Sequence, residues 1–395
     1  PFGTIFINAL KLIAVPLILA SLIKGVSELK DISQLSKMGF RTIGTYILTT
    51  IIAVSIGLVV VNLVKPGSTI TEETRAELVE SYGGDAELKR QDAEKQKEAG
   101  PLQALVDIVP SNIVGAAGSN ANMLQVIFFA IFFGIGLILI PEEQAEPVKK
   151  FFDGFNEVIL KMIDIIMLTA PFGVFALLAA LVVEAPSADL FAALGMYALC
   201  VIGGLLLMIG VYTLLVWVFT KKTPSFFING ISPAQLLAFS TSSSAATLPV
   251  TMERVEEHLG VEKEVSSFVL PIGATINMDG TSLYQAVAAV FIAQAFGMDL
   301  DFGTQLGIIA TATLASIGSA AVPGAGMVML VIVLAQAGIP EAGLALIFAI
   351  DRPLDMCRTT VNVTGDASVS MLVAKSVGKL REIPLVKNWN DNYKK

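Results

Sequence analysis

Long apolar runs alternate with short polar connections along most of the chain. Four of the runs, at residues 43–64, 158–183, 196–219 and 345–372, reach the roughly 20 residues that cross a hydrocarbon layer about 30 Å thick. The last of the four is unusually polar. This pattern predicts an all-α polytopic membrane protein.

Two further apolar segments do not fit a simple spanning helix. Residues 225–256 have apolar halves on either side of three serines at 242–244. Residues 302–337 repeat this plan around a Gly/Pro-rich stretch at 318–326. Non-helical backbone at membrane depth is tolerated only where protein or water satisfies it, and paired segments of this kind mark transporter binding sites. We predict two re-entrant helical hairpins; two ordinary kinked helices are the alternative.

A stripe of polar side chains runs along the last apolar segment. At 100° per residue, five of them fall within an arc about 80° wide, namely Asp351, Asp355, Arg358, Asn362 and Asp366. Each charge at the bilayer centre costs roughly 2.5–3.5 kcal/mol on insertion scales. The stripe is therefore expected to face protein, ions or water. An ion-pair network with a purely structural role is the alternative to a binding site.

A second polar cluster, GATINMDGT at 273–281, interrupts the apolar stretch 265–296. Asn277 and Asp279 are two residues apart, about 200° around a helix, and cannot share one face. Local unwinding would let both point inward and would free backbone carbonyl groups. Because carboxylate, amide and carbonyl oxygens suit hard cations, we predict cation binding at a broken helix.

The charged side chains of the stripe indicate which kind of ligand could bind there. Arg358 offers a planar two-pronged donor for a carboxylate, and Asp355 offers a negative partner for an ammonium group. Backbone N–H groups at the hairpin tips would receive a second carboxylate. A ligand with one ammonium group and two carboxylates fits this set. A neutral amino acid would leave Arg358 buried without a partner, and Asp355 would repel a dicarboxylate that lacks an amine.

Composition agrees with a membrane protein and argues against other classes. The chain is 54% hydrophobic and 15% charged, with a mean hydropathy of +0.73, whereas soluble domains average about 25% charged residues. The sequence has no basic patch with interleaved aromatic residues, so it does not predict a nucleic-acid partner. We expect no enzyme, since the sequence has no Gly-x-Ser-x-Gly elbow and the single histidine, His258, is predicted to lie in a loop.

Four motifs follow one another along the second half of the chain: SSSAATLPVT at 242–251, GATINMDGTSLY at 273–284, ASIGSAAVPGAG at 315–326 and DMCRTTVNVTGD at 355–366. Together they resemble the dicarboxylate/amino acid:cation (Na+ or H+) symporter family, which includes archaeal aspartate transporters and excitatory amino-acid (glutamate) transporters. The resemblance implies a glutamate-transporter-like inverted-repeat fold with two re-entrant helical hairpins and broken helices. It also implies a homotrimer and an elevator-type movement of the transport domain.

The resemblance further implies site residues. Arg358 would hold the substrate's side-chain carboxylate and Asp355 its amino group. The full substrate-binding set is Ser242, Ser243, Ser244, Thr281, Val322, Gly326, Asp355, Arg358, Thr359 and Asn362. Three sodium sites are implied, the first from Gly273, Asn277, Asn362 and Asp366, the second from Thr275, Met278, Ser316 and Ser319, and the third from Tyr46, Thr49, Thr50, Asn277 and Asp279.

One departure from the family concerns an arginine. Archaeal members carry it where this chain has Ser242, and animal members carry it where this chain has Met356. Arg352, one turn before Met356, is our candidate for the same region.

The resemblance and the distribution of basic loops together predict the domain organisation. We expect the family's first helix to be absent from this sequence, and basic connections to lie in the cytoplasm. In chain order we expect a scaffold helix and cytoplasmic loop at 1–41, a transport-domain helix at 42–64, an extracellular charged loop at 65–102 and trimerisation scaffold helices at 103–183. A transport domain at 184–372 and a cytoplasmic tail at 373–395 follow. Within the transport domain we expect hairpin 1 at about 225–258, a broken helix at 263–296, hairpin 2 at about 303–337 and a polar helix at 342–372.

We therefore expect a multi-pass symporter in the plasma (cell inner) membrane that imports L-aspartate or L-glutamate together with sodium ions. Its partners would be the acidic amino acid, sodium ions, the lipid bilayer and further copies of the chain. Three alternatives stay open at this point: proton coupling, a C4-dicarboxylate or neutral amino-acid substrate, and an associated anion conductance.

Overall fold

The computed structural model describes residues 2–27, 36–72, 109–118, 123–184, 188–317 and 324–383. These residues are almost entirely helical, and they form no β-strand beyond a bridge between Val261 and Leu380. The all-α expectation is thus confirmed for the described ranges. Most of the predicted charged loop at 65–102 and the last twelve residues of the tail, 384–395, lie outside them.

In chain order the helices of the described residues are α1 (Phe2–Ser27), α2 (Ser36–Val64), α3 (Ile113–Ala117), α4 (Met123–Leu139), α5 (Glu142–Glu184), α6 (Ala188–Thr220), α7 (Pro224–Thr241), α8 (Ser244–Glu253), α9 (Lys263–Ile276), α10 (Asp279–Ala295), α11 (Phe302–Ile317), α12 (Ala325–Gln336) and α13 (Leu344–Ser376). Short 3₁₀ turns occupy Pro66–Thr69 and Glu341–Gly343, and a π-helical turn occupies Arg254–His258. His258 therefore ends a helical turn, not a loop as predicted. α13 also runs four residues past the predicted end of the polar helix at 372.

Much of the outer surface is apolar. Within the described residues two helical stretches, Met38–Thr69 and Leu190–Thr220, have the length and composition to cross a membrane. They contain the predicted runs at 43–64 and 196–219. On α5, large apolar side chains point outward, with Leu168 exposed to 75% and Phe172 to 76%. Exposed apolar surface of this extent requires a cover of lipid or protein.

The centre of the molecule is built around α10, α12 and α13. α10 is buried at nearly every position and packs against α2, α6, α11, α12 and α13. α1 packs mainly on α4 and α5, to one side of this centre. Polar residues on α10 and α13 are consequently enclosed by protein and can contact one another.

The first interrupted segment forms two helices, α7 and α8, which pack on each other and on α13. α7 ends where Ser242 adopts a left-handed backbone conformation, with φ of 51°. The Ser243 hydroxyl accepts a hydrogen bond from the Ala246 N–H at 3.2 Å and so caps the start of α8. The side-chain amide of Gln235 donates to the Thr364 hydroxyl at 2.9 Å and fixes α7 against α13.

Two other interruptions match the expected places. α9 ends at Ile276 and α10 begins at Asp279, which leaves Asn277 and Met278 outside both helices. A carboxylate in the first turn of α10 is favourable because the helix N-terminus carries partial positive charge. The second interrupted segment comprises α11 and α12; residues 318–323 between them lie outside the described residues.

A short strap at residues 379–383 follows α13 and lies against the turn before α9. Arg381 N–H donates to the Gly260 carbonyl at 2.7 Å, and Glu262 N–H donates to the Lys379 carbonyl at 3.1 Å. Lys222 pairs with Glu382 at 2.5 Å, and this hydrogen bond lowers the pKa of the Glu382 carboxyl. The strap thus connects the ends of the first hairpin and the polar helix.

Gly260 makes this close approach possible, and its replacement by alanine should destabilise the protein. Its φ is +85°, where a side chain costs about 1–2 kcal/mol. A Cβ atom would also lie 2.5 Å from the Arg381 carbonyl oxygen. Gly378 is a matched control, because its φ is +76° and a Cβ atom there would have nothing within 4 Å. Thermal unfolding in detergent should show a larger loss for Gly260→Ala than for Gly378→Ala; equal losses would show that the strap contact has no stabilising effect.

Candidate functional site

The polar stripe of α13 is buried. Asp351 and Asp355 are 6% and 7% exposed, Asn362 and Asp366 are 2% exposed, and Arg358 is 0% exposed. These side chains share one face because they are spaced by three, four or seven residues on a helix. Charged groups so placed need partners within the protein.

Arg358 is held by two carboxylates of its own helix. Its Nη1 donates to Asp351 Oδ1 at 3.0 Å, and its Nη2 donates to Asp355 Oδ1 at 2.7 Å. Its third nitrogen, Nε, is buried and has no acceptor among the described residues. A buried guanidinium N–H without an acceptor is a place for a ligand oxygen.

One flat face of the Arg358 guanidinium lies against an aromatic ring. The ring of Tyr284, on α10, lies 3.8 Å from Arg358 Cζ, a cation–π contact. The Tyr284 hydroxyl donates to Met327 Sδ at 2.7 Å, which fixes the ring against α12. Gly326 lies on α12 so close by that a Cβ atom there would be 3.5 Å from Arg358 Cζ and 3.1 Å from Thr281 Cγ2. The second hairpin thus lies within van der Waals range of the arginine, and an added side chain at Gly326 would crowd Thr281 most closely.

One carboxylate oxygen of Asp355, Oδ2, has longer contacts than the oxygen that binds Arg358. This oxygen accepts a hydrogen bond from the Gly324 N–H at 3.3 Å and lies 3.5 Å from Arg352 Nη1. The Arg352 side chain is 58% exposed. Asp355 therefore lies between a buried arginine and an accessible one. Its backbone carbonyl accepts the Thr359 hydroxyl at 2.9 Å.

Asn362 joins α13 to the start of α10. Its Oδ1 accepts the Gly280 N–H at 2.8 Å, and its Nδ2 is 3.4 Å from Thr281 Oγ1. A Cβ atom at Gly280 would lie 2.5 Å from the Arg358 carbonyl oxygen. Close backbone contact between the two helices therefore brings Thr281, Arg358 and Asn362 of the predicted substrate set together.

The serine tip of the first hairpin is buried. Ser242 is 3% exposed, and its hydroxyl has no hydrogen-bond partner among the described residues. Ser243 and Ser244 are 8% and 4% exposed. Val322, the remaining predicted substrate residue, lies outside the described residues.

The first predicted cation set is assembled around Asp366. Asn277 Nδ2 donates to Asp366 Oδ1 at 2.8 Å and to the Asn362 carbonyl at 3.3 Å. A Cβ atom at Gly273 would collide with Asp366 Oδ1 and the Tyr46 hydroxyl, so both oxygens lie directly against this glycine. Asn277 Oδ1 is buried and accepts no hydrogen bond from any described residue.

The third predicted cation set is assembled in part. Thr50 Oγ1 donates to Asp279 Oδ1 at 2.5 Å, while Thr49 Oγ1 donates to the Tyr46 carbonyl at 3.0 Å. The Asn277 side chain of this set turns instead to Asp366. Asp279 is completely buried, and its second oxygen accepts a hydrogen bond from the hydroxyl of Tyr212.

The second predicted cation set is described only in part. Ser316 Oγ donates to the Thr313 carbonyl at 2.8 Å, and Met278 Sδ accepts from Asn362 Nδ2 at 3.3 Å. Ser319 is not among the described residues, and neither is the side chain of Thr275.

The donor set around Asn277, Asp279 and Asp366 fits a hard cation. It offers carboxylate, amide, hydroxyl and carbonyl oxygens, with one buried amide oxygen that has no donor among the described residues. No cluster of three or more His, Cys, Asp or Glu side chains that could hold a metal ion occurs in the described part of the chain.

Sequence reasoning assigned no role to three residues that the structure brings to these clusters. Asp351 lies two turns before Arg358 on the same stripe, and this spacing of seven residues was a usable signal. Tyr284 lies within the motif at 273–284, three residues after Thr281. Tyr212 lies in the apolar helix α6, far from any motif, and no local pattern marks it.

The sequence matches the sodium:dicarboxylate symporter family over residues 1–376. It is 39% identical to excitatory amino acid transporter 1 of Ambystoma tigrinum, over 92% of this chain and 75% of that protein. It is 37% identical to excitatory amino acid transporter 3 of Mus musculus, over 94% of this chain and 78% of that protein. Identity to the proton/sodium-glutamate symport protein of Geobacillus stearothermophilus is 34%, over 97% of this chain and 88% of that protein. The chain therefore belongs to the sodium:dicarboxylate symporter family, and it is a membrane transporter, not an enzyme.

Proposed function

We propose that this protein is a secondary active symporter that imports L-aspartate or L-glutamate together with sodium ions. The observation that carries the proposal is the buried Arg358, which keeps one N–H without an acceptor beside a carboxylate, Asp355, that can receive an ammonium group. The names of relatives from Ambystoma tigrinum and Geobacillus stearothermophilus, which refer to excitatory amino acids and to glutamate, support the same substrate class.

The charge of the site supports cation coupling. Among the described residues of the site, four carboxylates are buried, Asp279, Asp351, Asp355 and Asp366, together with one guanidinium, Arg358. If all five are ionised, four negative charges and one positive charge leave a net charge of three negative, and an acidic amino acid adds one more. Moving such a charge through a low-dielectric layer is very unfavourable. Cations bound with the substrate would neutralise it.

The proposed cycle uses this charge balance. Sodium ions bind near Asp279 and Asp366 and order the Asn277 region, after which the amino acid binds at Arg358 and Asp355. The second hairpin, α11 and α12, then closes over the site. Ligands drive closure only through a higher affinity for the closed state, so ions and substrate are expected to bind more tightly there. The closed transport domain would move like an elevator against the scaffold of a homotrimer in the plasma membrane.

Uptake into proteoliposomes tests the proposal. Purified protein should accumulate radiolabelled aspartate when an inward sodium gradient is imposed, and a choline gradient should give no accumulation. Excess unlabelled glutamate should compete, whereas succinate and serine should not. Uptake driven by a proton gradient without sodium would instead establish proton coupling, and competition by succinate or serine alone would establish a dicarboxylate or a neutral substrate.

Arg352 is proposed to assist substrate capture at Asp355. Arg352→Ala should weaken apparent aspartate affinity by about two- to fivefold, because the largely exposed Arg352 would attract a substrate carboxylate by only about 0.2–1 kcal/mol. Arg352→Lys keeps the charge and should retain most of the affinity. Uptake kinetics of the two variants measure this effect, and unchanged kinetics in Arg352→Ala would rule out the role.

A further inference from the structure

Tyr212 links the middle of the molecule to the carboxylate of Asp279. It lies on α6, is completely buried, and donates its hydroxyl hydrogen to Asp279 Oδ2. Thr50, on α2, donates to the other oxygen, Oδ1, at 2.5 Å. Hydroxyl groups from two different helices therefore hold the two oxygens of one carboxylate that itself begins a third helix, α10.

The phenol of Tyr212 also lies against α13 at Gly365, the residue before Asp366. A Cβ atom at Gly365 would be 2.5 Å from the Tyr212 hydroxyl oxygen and 2.7 Å from Asn277 Nδ2. The bare backbone at Gly365 thus leaves space for the phenol at the corner where α13 meets the unwound Asn277. In this position the Tyr212 oxygen lies between the side-chain clusters of Asp279 and Asp366.

We infer that Tyr212 is a positioning residue for cation binding at Asp279, an inference that rests on the proposed sodium coupling. Hydrogen bonds to ionised acceptors are stronger than neutral ones, and partners of ligating groups fix the orientation of those groups. Tyr212 holds Asp279 Oδ2 in place before the ion arrives, so that binding does not have to order the carboxylate.

The test removes the hydroxyl and leaves the ring. Binding of radioactive sodium to purified Tyr212→Phe, without substrate, should be about tenfold weaker than to wild type, the loss expected for one charge-assisted hydrogen bond. Aspartate affinity at saturating sodium should stay within about twofold, because Tyr212 acts on the ion and not on the amino acid. Gly365→Ala keeps the Tyr212 hydroxyl but crowds both the phenol and the Asn277 amide, so it should shift sodium affinity in the same direction and at least as far.

Tyr197→Phe is the matched control. Tyr197 is a second fully buried tyrosine of α6, with its ring stacked on Phe291 at 4.7 Å, and it lies 15 residues before Tyr212, about 22 Å along the helix. Its sodium affinity should equal that of wild type.

Three results would count against the inference. Wild-type sodium affinity in Tyr212→Phe would overturn it, and so would equal weakening of sodium binding and of aspartate binding at saturating sodium, since that pattern belongs to a purely structural role. Absence of sodium binding in wild type itself would overturn the proposed coupling, and the inference with it. The wild-type measurement therefore separates a failure of the proposed function from a failure of the role of Tyr212.

Discussion

Replacing Arg358 by alanine should reduce uptake of aspartate and glutamate by at least about a hundredfold. The change removes the buried donor for a substrate carboxylate and leaves Asp351 and Asp355 buried without their shared partner. Truncating one partner of a buried, hydrogen-bonded charge pair costs about 2–5 kcal/mol of binding free energy, and each 1.4 kcal/mol corresponds to about a factor of ten. Initial uptake rates and equilibrium binding of radiolabelled aspartate measure the loss.

Arg358→Lys is the informative companion of this variant. It keeps the positive charge between the two aspartates but loses the planar fork and the Nε donor, so acidic amino acids should bind much more weakly than they bind to wild type. Stability of both variants is checked by thermal unfolding in detergent. If Arg358→Ala folds and transports an acidic amino acid at the wild-type rate, Arg358 does not hold the substrate. If it transports a neutral amino acid unchanged, the substrate class is wrong.

Replacing Asp366 by asparagine should raise the sodium concentration for half-maximal uptake by at least about tenfold, since about 1.4 kcal/mol of ion binding corresponds to that factor. The substitution keeps the shape of the side chain but removes the negative charge that faces Asn277 and lies against Gly273. A carboxylate in a buried site contributes more to cation binding than a neutral amide because the local dielectric constant is low. The sodium dependence of uptake, at saturating aspartate, measures the change.

Asp153→Asn is the control for this prediction. Asp153 lies on α5, where its half-exposed side chain is 3.6 Å from Lys24 in an ion pair, and such pairs contribute little. Its sodium dependence should match that of wild type. The same sodium dependence in Asp366→Asn and Asp153→Asn would show that Asp366 is not part of a cation site.

The polar helix was the part of the site that the sequence predicted best. The angles of Asp355, Arg358, Asn362 and Asp366 follow from 100° per residue, and these side chains are buried as a stripe in one helix. The interruption at Asn277 was likewise predictable, since two inward-facing polar groups two residues apart are incompatible with a continuous helix.

Contacts between distant parts of the chain were not predictable from local patterns. Tyr212 reaches Asp279 across 67 residues, and Tyr284 contacts the guanidinium of Arg358 only because α10 packs on α13. The orientation of the Asn277 side chain toward Asp366 also depends on this packing. Helical periodicity predicts on which face of a helix a residue lies. It does not predict which residue of another helix that face contacts, because tertiary packing decides this.

The pairing of Arg358 with Asp351 and Asp355 bears on the rival interpretation of the stripe. A purely structural ion-pair network would satisfy the guanidinium within α13 and would need no ligand. The Nε of Arg358, the Asn277 Oδ1 and the Ser242 hydroxyl, all buried and without partners among the described residues, are not accounted for by such a network. Buried polar groups usually have a partner, and an acidic amino acid with cations would supply it here.

Binding of L-aspartate to the purified protein at a series of sodium concentrations tests the central claim most directly. Isothermal titration calorimetry should show an apparent affinity that rises steeply with sodium, because ions and substrate each bind better once the other is present. It should show no aspartate binding in choline chloride. Aspartate affinity that is the same with and without sodium, or no binding of any acidic amino acid at high sodium, would contradict the account.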